Sequence, residues 1–259
     1  MNGWKNRALT LGLIFSVMVP FIAYTDETRV NTESPKKKIS LPDTELKIPK
    51  KPQNNSGRIL YIPPKPEKAA PQVRVGTGGT RGIKKQFPIV TLLVPEHVAR
   101  TIQAQPTLYW HISTISQLPF IVTLITDDRT TPLLELTIKD PLKPGIHSLR
   151  LADYGVHLQT GKTYEWLVSI PFEPGQYSSD DLVAKGYINR SKPASDVETA
   201  LIEASSIEKA KIYAQNGFWY DALETLSKQT SSIWEENQQC VEKSNLLEQV
   251  GIYVAIETN

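Results

Sequence analysis

Between Phe87 and Arg190 the apolar residues of this chain recur at every second position, and from Ser195 onward they recur at helical spacing. That switch confines the chain to a β structure followed by helices. Successive side chains of a strand point to opposite faces, whereas a helix brings every third or fourth residue back to the same face. Seven segments rich in β-branched and aromatic residues read as strands: 89–93, 107–112, 120–126, 133–138, 145–151, 164–170 and 182–189. The alternation is clearest twice. Leu134, Leu136 and Ile138 oppose Glu135, Thr137 and Lys139, and Tyr164, Trp166, Val168 and Ile170 oppose Thr163, Glu165 and Ser169. One apolar and one wet face imply antiparallel pairing in two layers. Pro144-Gly145 and Thr160-Gly161-Lys162 supply turns. Seven short strands in about 105 residues predict an immunoglobulin-like antiparallel β-sandwich, without the Cys-Trp-Cys core of antibody domains. Tyr109, Trp110, Tyr164 and Trp166 are expected in its core.

The helical part is expected to begin with Asp196 as N-cap and to run through Val197, Leu201, Ala204, Ile207 and Ala210. Ala210, Tyr213, Gly217, Trp219, Ala222, Leu223 and Leu226 then follow with the spacing of the two helices of a tetratricopeptide repeat. In such a hairpin a small residue, here Ala222, lets the helices approach, and Asn216-Gly217 suits a left-handed helix end. About one repeat is visible, too few for a solenoid. A third helix is expected from Ser231 to Gln249, carrying Trp234, Val241, Leu246 and Leu247. Trp219 and Tyr220 are adjacent at a helix start, so at most one is expected to be fully buried and the other to form a recognition surface.

The N-terminus carries an address. Lys5 and Arg7 precede an apolar run from Ala8 to Val19, and Pro20 breaks it. This is the layout of a secretory signal over residues 1–25, and the run falls short of the ~20 apolar residues of a spanning helix. The alternative is a retained N-terminal anchor. Residues 26–78 follow, with eight prolines between Asp26 and Gln72 and few large apolar side chains. They read as a disordered linker, because too little surface is available to offset the cost of ordering. From Ser34 to Gln72 nine basic residues face three acidic ones, a charge of +6, whereas the chain from Val73 onward carries −4. Two readings stand: the arm touches anionic lipid or polymer, or it is a self-repelling solvated spacer. The sandwich is expected over 79–192 and the helical region over 193–259.

Chemistry-bearing patterns are sparse. A net charge of +2 over 259 residues excludes a nucleic-acid partner as an inference from charge. One cysteine, Cys240, rules out an internal disulfide framework; it reads as a small buried apolar residue, with a reactive thiol as the alternative. His97, His111, His147 and His157 form no metal-ligand spacing. No Gly-x-Ser-x-Gly elbow is present. Val75–Gly82 is glycine-rich but lacks the Gly-Lys-Ser/Thr ending of a phosphate loop. Asp127-Asp128 and Asp180-Asp181 allow a carboxylate pair by arithmetic, but adjacent acids in turns ordinarily cap or solvate. No catalytic residue, metal or cofactor is therefore expected.

Four motifs together resemble a known family: Gly79-Thr80-Arg81-Gly82, Pro106 to Trp110, Gly161 to Trp166, and Gly217 to Leu223. Their order and spacing are similar to the cyanobacterial family catalogued as domain of unknown function 928, over about Thr80 to Ile252. The resemblance implies an exported cyanobacterial protein without an assigned activity. Its motif residues here are Arg81, Gly82, Trp110, Gly161, Trp166, Tyr213, Gly217 and Ala222, with structural roles. It also implies a cysteine pair where this chain has Lys84 and Phe172, so that one disulfide is lost as a unit and Cys240 is unrelated to it. The functional expectation is an exported envelope or periplasmic protein, a non-enzymatic binding or adaptor module with an envelope protein as partner. The alternative is a hydrolase of an envelope polymer acting through loop carboxylates.

Overall fold

A computed structural model describes residues 57–65, 87–126, 131–172 and 181–255. The signal-like segment, most of the linker, the Gly-rich run, Arg81, Gly82, Lys84, Asp127, Asp128 and Asp180 lie outside the described residues. The strands are β1 (Val90–Leu92), β2 (Ala99–Thr101), β3 (Thr107–Ile112), β4 (Phe120–Thr126), β5 (Pro132–Ile138), β6 (Gly145–Arg150), β7 (Thr163–Ile170) and β8 (Leu182–Arg190). The helices are α1 (Ser195–Ile202), α2 (Ser206–Gln215), α3 (Trp219–Thr225) and α4 (Ile233–Glu248).

The strands build two sheets, one of three strands in the order β1-β3-β6 and one of five in the order β2-β8-β7-β4-β5. All pairings are antiparallel except β2 with β8. Side chains from both sheets, among them Leu92, Trp110, Val122 and Trp166, meet in one continuous core, so the sheets form a sandwich. Gly186 in β8 marks the tightest approach. A Cβ there would lie 2.8 Å from Val94 Cγ2 and 3.4 Å from Leu92 Cδ1, so only glycine lets the first strand's exit cross this point.

Seven strands fall on the seven expected segments, and β2 is additional. Strand β7 departs from the expected half-wet pattern, since Glu165 and Ser169 are buried along with Tyr164, Trp166, Val168 and Ile170. The reason is its position between β4 and β8, where Glu165 lies opposite Ile125 and Tyr187 and its carboxylate sits 3.6 Å from Lys185 Nζ. Edge strand β5 keeps the expected contrast, with Leu134, Leu136 and Ile138 half-buried and Glu135 and Thr137 exposed.

The first expected helix is two helices. Ser205 ends the continuity with a capping box: its Oγ accepts from Glu208 N–H, and Glu208 Oε2 accepts from Ser205 N–H at 2.9 Å. The N-cap of α1 is Ala194 rather than Asp196, which sits in the first turn and accepts from Val197 N–H. Helix α4 matches its expected span, but its apolar residues pack only in the last turns: Leu246 and Leu247 are buried, as is Gln239 in the middle, whereas Trp234 is 66% exposed and Val241 is also exposed. Cys240 on this helix is a free, half-buried thiol, not a fully buried apolar residue.

Two features bear on the organisation of the chain. The described strands and helices share one core, and position 192/193 falls where strands give way to helices. Secondly, part of the expected disordered linker is ordered. Gly57–Lys65 is an extended segment lying on the helices, with Ile59 and Tyr61 buried. Tyr61 packs edge-on against Trp219 at 4.9 Å, and its hydroxyl lies 2.8 Å from His97 Nε2. Two large side chains at alternate positions supply the apolar burial that the proline count alone did not suggest.

Candidate functional site

The helical layer is fastened to the sandwich through α3. Five consecutive residues of this helix, Trp219 to Leu223, are buried, because its two sides face different layers. Trp219 Nε1–H donates to Leu93 O at 2.9 Å, on the sandwich side of the Tyr61 ring. Tyr220 turns toward the five-stranded sheet, where its hydroxyl accepts from Trp166 Nε1–H at 2.8 Å and donates to Tyr187 O at 3.1 Å. Both rings are therefore core, and the expectation that one of them forms a recognition surface is wrong. Adjacent helix residues are both enclosed when the helix is sandwiched between two layers.

Asp221, on the same turn, holds the loop after β2. Its Oδ2 accepts from Ile102 N–H at 3.1 Å. Burial pushes this carboxyl up to about 7, against the opposite pull of hydrogen bonds from Ile102, Thr101 and Gln103, while the Glu224 charge adds to the elevation. Gln103 continues the connection: its N–H donates to Thr101 Oγ1, and its Nε2 donates to Glu224 Oε2 at 2.8 Å.

This pinned loop is the floor of a groove of about 830 Å³ at the seam between sandwich and helices. The loop supplies Gln103 and Gln105, strands β3 and β6 supply Tyr109 and Arg150, and the end of α3 and the residues after it supply Glu224 and Lys228. Tyr109 is half-buried, and its phenol is pushed up to about 12 by burial and then by Glu224, partly offset by hydrogen bonds to Thr107 and Ser227. It is a neutral ring with a hydroxyl at working pH. Amides and hydroxyls both donate and accept, and the charges present are of both signs. Such a lining suits a ligand bearing many hydroxyls better than a simple anion or cation. Among the described lining residues Glu224 is the single carboxylate, and it already accepts from Gln103.

The remaining expected residues are structural. Trp110 is buried in β3 with its ring 5.9 Å from that of His147. Gly161 has a φ of +80° and donates its N–H to Arg190 O, closing the turn before β7. Tyr213 is half-buried in α2, its phenol raised by burial and then by Asp221 and Glu224. Gly217 adopts the expected left-handed conformation with φ +77°, and Ala222 is fully buried. Asp181 accepts from Phe172 N–H at 2.9 Å, the capping use expected of a turn carboxylate. Among the described residues no three His, Cys, Asp or Glu side chains cluster in a way that could hold a metal ion, and no helix is long and apolar enough to cross a membrane. Sequence reasoning missed the groove entirely. Gln103, Gln105, Tyr109, Arg150, Glu224 and Lys228 come from three separate stretches and share no motif.

Comparison with solved structures finds the fibronectin type III domain of the human collagen alpha-1(XX) chain, at 17% identity and a TM-score of 0.25. The match covers 45% of this chain and 95% of that one. No curated protein matches the chain. A family model described as Domain of Unknown Function (DUF928) matches residues 76–258. That span takes in both sheets, all four helices and every residue of the seam groove, and the chain belongs to the DUF928 family.

Proposed function

We propose that this protein is an exported, non-enzymatic binding module of the cell envelope, and that the seam groove holds a segment of a hydroxyl-rich polymer. The observation that carries the reading is the groove itself, with its amides, hydroxyls, mixed charges and half-buried Tyr109 over a floor fixed by Asp221 and Gln103. A rigid floor supports binding because little ordering is left for the ligand to impose. The strand order supports an immunoglobulin-like reading of the sandwich: β3 and β6 pair in one sheet, while β4, β7 and β8 neighbour one another in the other. The α2–α3 pair, with Gly217 at its bend, supports a repeat-like hairpin, used here as a clamp on the sandwich. Export rests on Lys5 and Arg7 followed by the apolar run Ala8 to Val19. The basic arm before the core would keep the module near an anionic surface or simply space it from one.

The test is affinity electrophoresis of the full chain in gels cast with purified envelope polysaccharides, comparing wild type with Tyr109→Ala and Gln105→Ala. Retardation by one polymer, reduced about tenfold in apparent affinity by Tyr109→Ala, is the expected result. Wild-type mobility unchanged by every polymer, or retardation indifferent to both substitutions, removes the groove from consideration. N-terminal sequencing of exported material should begin near Tyr24 or Asp26; Met1 retained there would refute the cleaved signal.

A further inference from the structure

The segment Gly57–Lys65 is held the way proteins hold foreign peptides. Gln249 grips the two peptide units that flank Leu60, its Nε2 donating to Ile59 O at 2.9 Å and its Oε1 accepting from Tyr61 N–H at 2.9 Å. Glu242 Oε2 accepts from Ile59 N–H at 3.0 Å, and Ala214 O accepts from Ile62 N–H at 3.1 Å. The backbone is thus read by side chains and one carbonyl of the helices, and specificity falls to alternate side chains. Ile59 and Tyr61 are 1% and 6% exposed, whereas Leu60 and Ile62 between and after them are 56% and 49% exposed. Gly217 completes the acceptor. A Cβ there would come within 3.2 Å of Pro64 Cδ and 3.3 Å of Ile62 O, so its missing side chain makes room for the peptide's proline.

We infer that the crevice formed by α2, α3 and the end of α4 is an acceptor for an extended peptide of the pattern Ile-x-Tyr-x-Pro-Pro, and that the segment of a second copy occupies it when copies are concentrated. Three observations point to the second copy. The acceptor lies wholly within residues 76–258, but its occupant lies before them, so the two are separable parts. Twenty-one residues join Lys65 to Phe87, a length that reaches at most about 70 Å and thus a neighbouring molecule as well as its own. Charge favours the exchange: residues 34–72 carry +6, and from Ser195 to Asn259 eleven acidic residues face four basic ones. The Arg58–Glu248 pair at 3.6 Å is one such contact made within the chain. Tethering gives the chain's own segment an effective concentration on the order of mM, so exchange requires copies held close together.

Two full-length variants test this. Ile59→Ala/Tyr61→Ala vacates the acceptor, and Glu242→Ala/Gln249→Ala frees the segment while weakening its own acceptor. Native mass spectrometry of the mixture should show a one-to-one pair that neither variant forms alone, dispersed by a synthetic peptide of residues 56–66. The labelled peptide should bind the vacated variant at least about tenfold tighter than wild type, where the tethered segment competes. Peptide uptake without pairing refutes the second copy as occupant. A vacated variant with wild-type circular dichroism that takes up no peptide refutes the acceptor. If the vacated variant fails to fold, the wild-type chain cut at an engineered protease site between residues 66 and 86 replaces it. Exchange of the cut segment for labelled peptide then supports the acceptor, and no exchange overturns it.

Discussion

Asp221→Asn should make the protein more stable at neutral and alkaline pH and leave it nearly unchanged in acid. The carboxyl is 1% exposed and is raised from 3.8 to about 7, chiefly by burial. The folded state therefore holds this proton more tightly than the unfolded chain does. The stabilising contribution of the protonated form is complete below pH 4, and it is lost as pH rises through 7. At 1.36 kcal/mol per pK unit the full swing is at most about 4 kcal/mol. Asparagine keeps an oxygen for Ile102 N–H but carries no charge, so it escapes the loss. Urea unfolding followed by tryptophan fluorescence at pH 4, 6 and 8 measures the difference between the two proteins, in which other titrating groups largely cancel. The expected excess stability of the variant is below about 1 kcal/mol at pH 4 and about 2–4 kcal/mol at pH 8. A difference that does not change with pH would refute the raised carboxyl. A variant less stable than wild type at pH 8 would mean that the hydrogen bonds to the charged form outweigh its burial.

Gly217→Val should destabilise by more than about 1 kcal/mol in thermal or urea melts, since its φ is +77° and the new methyls meet Pro64 and the Ile62 carbonyl. Ala222→Leu should cost about 1–3 kcal/mol by overpacking a fully buried site, measured the same way. Trp219→Ala should cost about 3–5 kcal/mol, and so should Tyr220→Ala, because both rings are core; wild-type melting of either variant would refute the packing described. Trypsin should leave the bond after Arg58 intact until the core itself is digested, as read by mass spectrometry of the fragments, because the neighbouring Ile59 backbone is hydrogen-bonded on both sides.

The period-two pattern was legible because a sandwich with one inner face per sheet imposes it directly, and strands such as 107–112 and 120–126 emerge at the residues expected. Strand β2 was not, since Ala99-Arg100-Thr101 is too short to show alternation and owes its existence to pairing with β8, almost ninety positions later. The break between α1 and α2 had a local signal, Ser205-x-x-Glu208, which the apolar spacing running across it concealed. Ile59 and Tyr61 stood out only as large residues in a proline-rich stretch, and composition outweighed them. Trp219 and Tyr220 failed for a different reason. A helical wheel assumes one buried side, and α3 has two. The groove was illegible because proximity of residues 103–109, 148–152 and 224–229 is a product of the tertiary fold.

The clamp of Gln249 on Ile59 and Tyr61 spans nearly the whole ordered chain. As the chain is synthesised, the segment it grips appears 190 residues before the glutamine. Ile59 and Tyr61 therefore lack this partner until Gln249 itself has been made. Long-range closures of this kind come late and slow the completion of folding. Until then the nascent chain carries an unclamped adhesive sequence, at a time when other newly made copies are also incomplete. A chain truncated before Gln249 would keep the sheets' pairing partners, and the segment would rest on Glu242, the Ala214 carbonyl and Trp219.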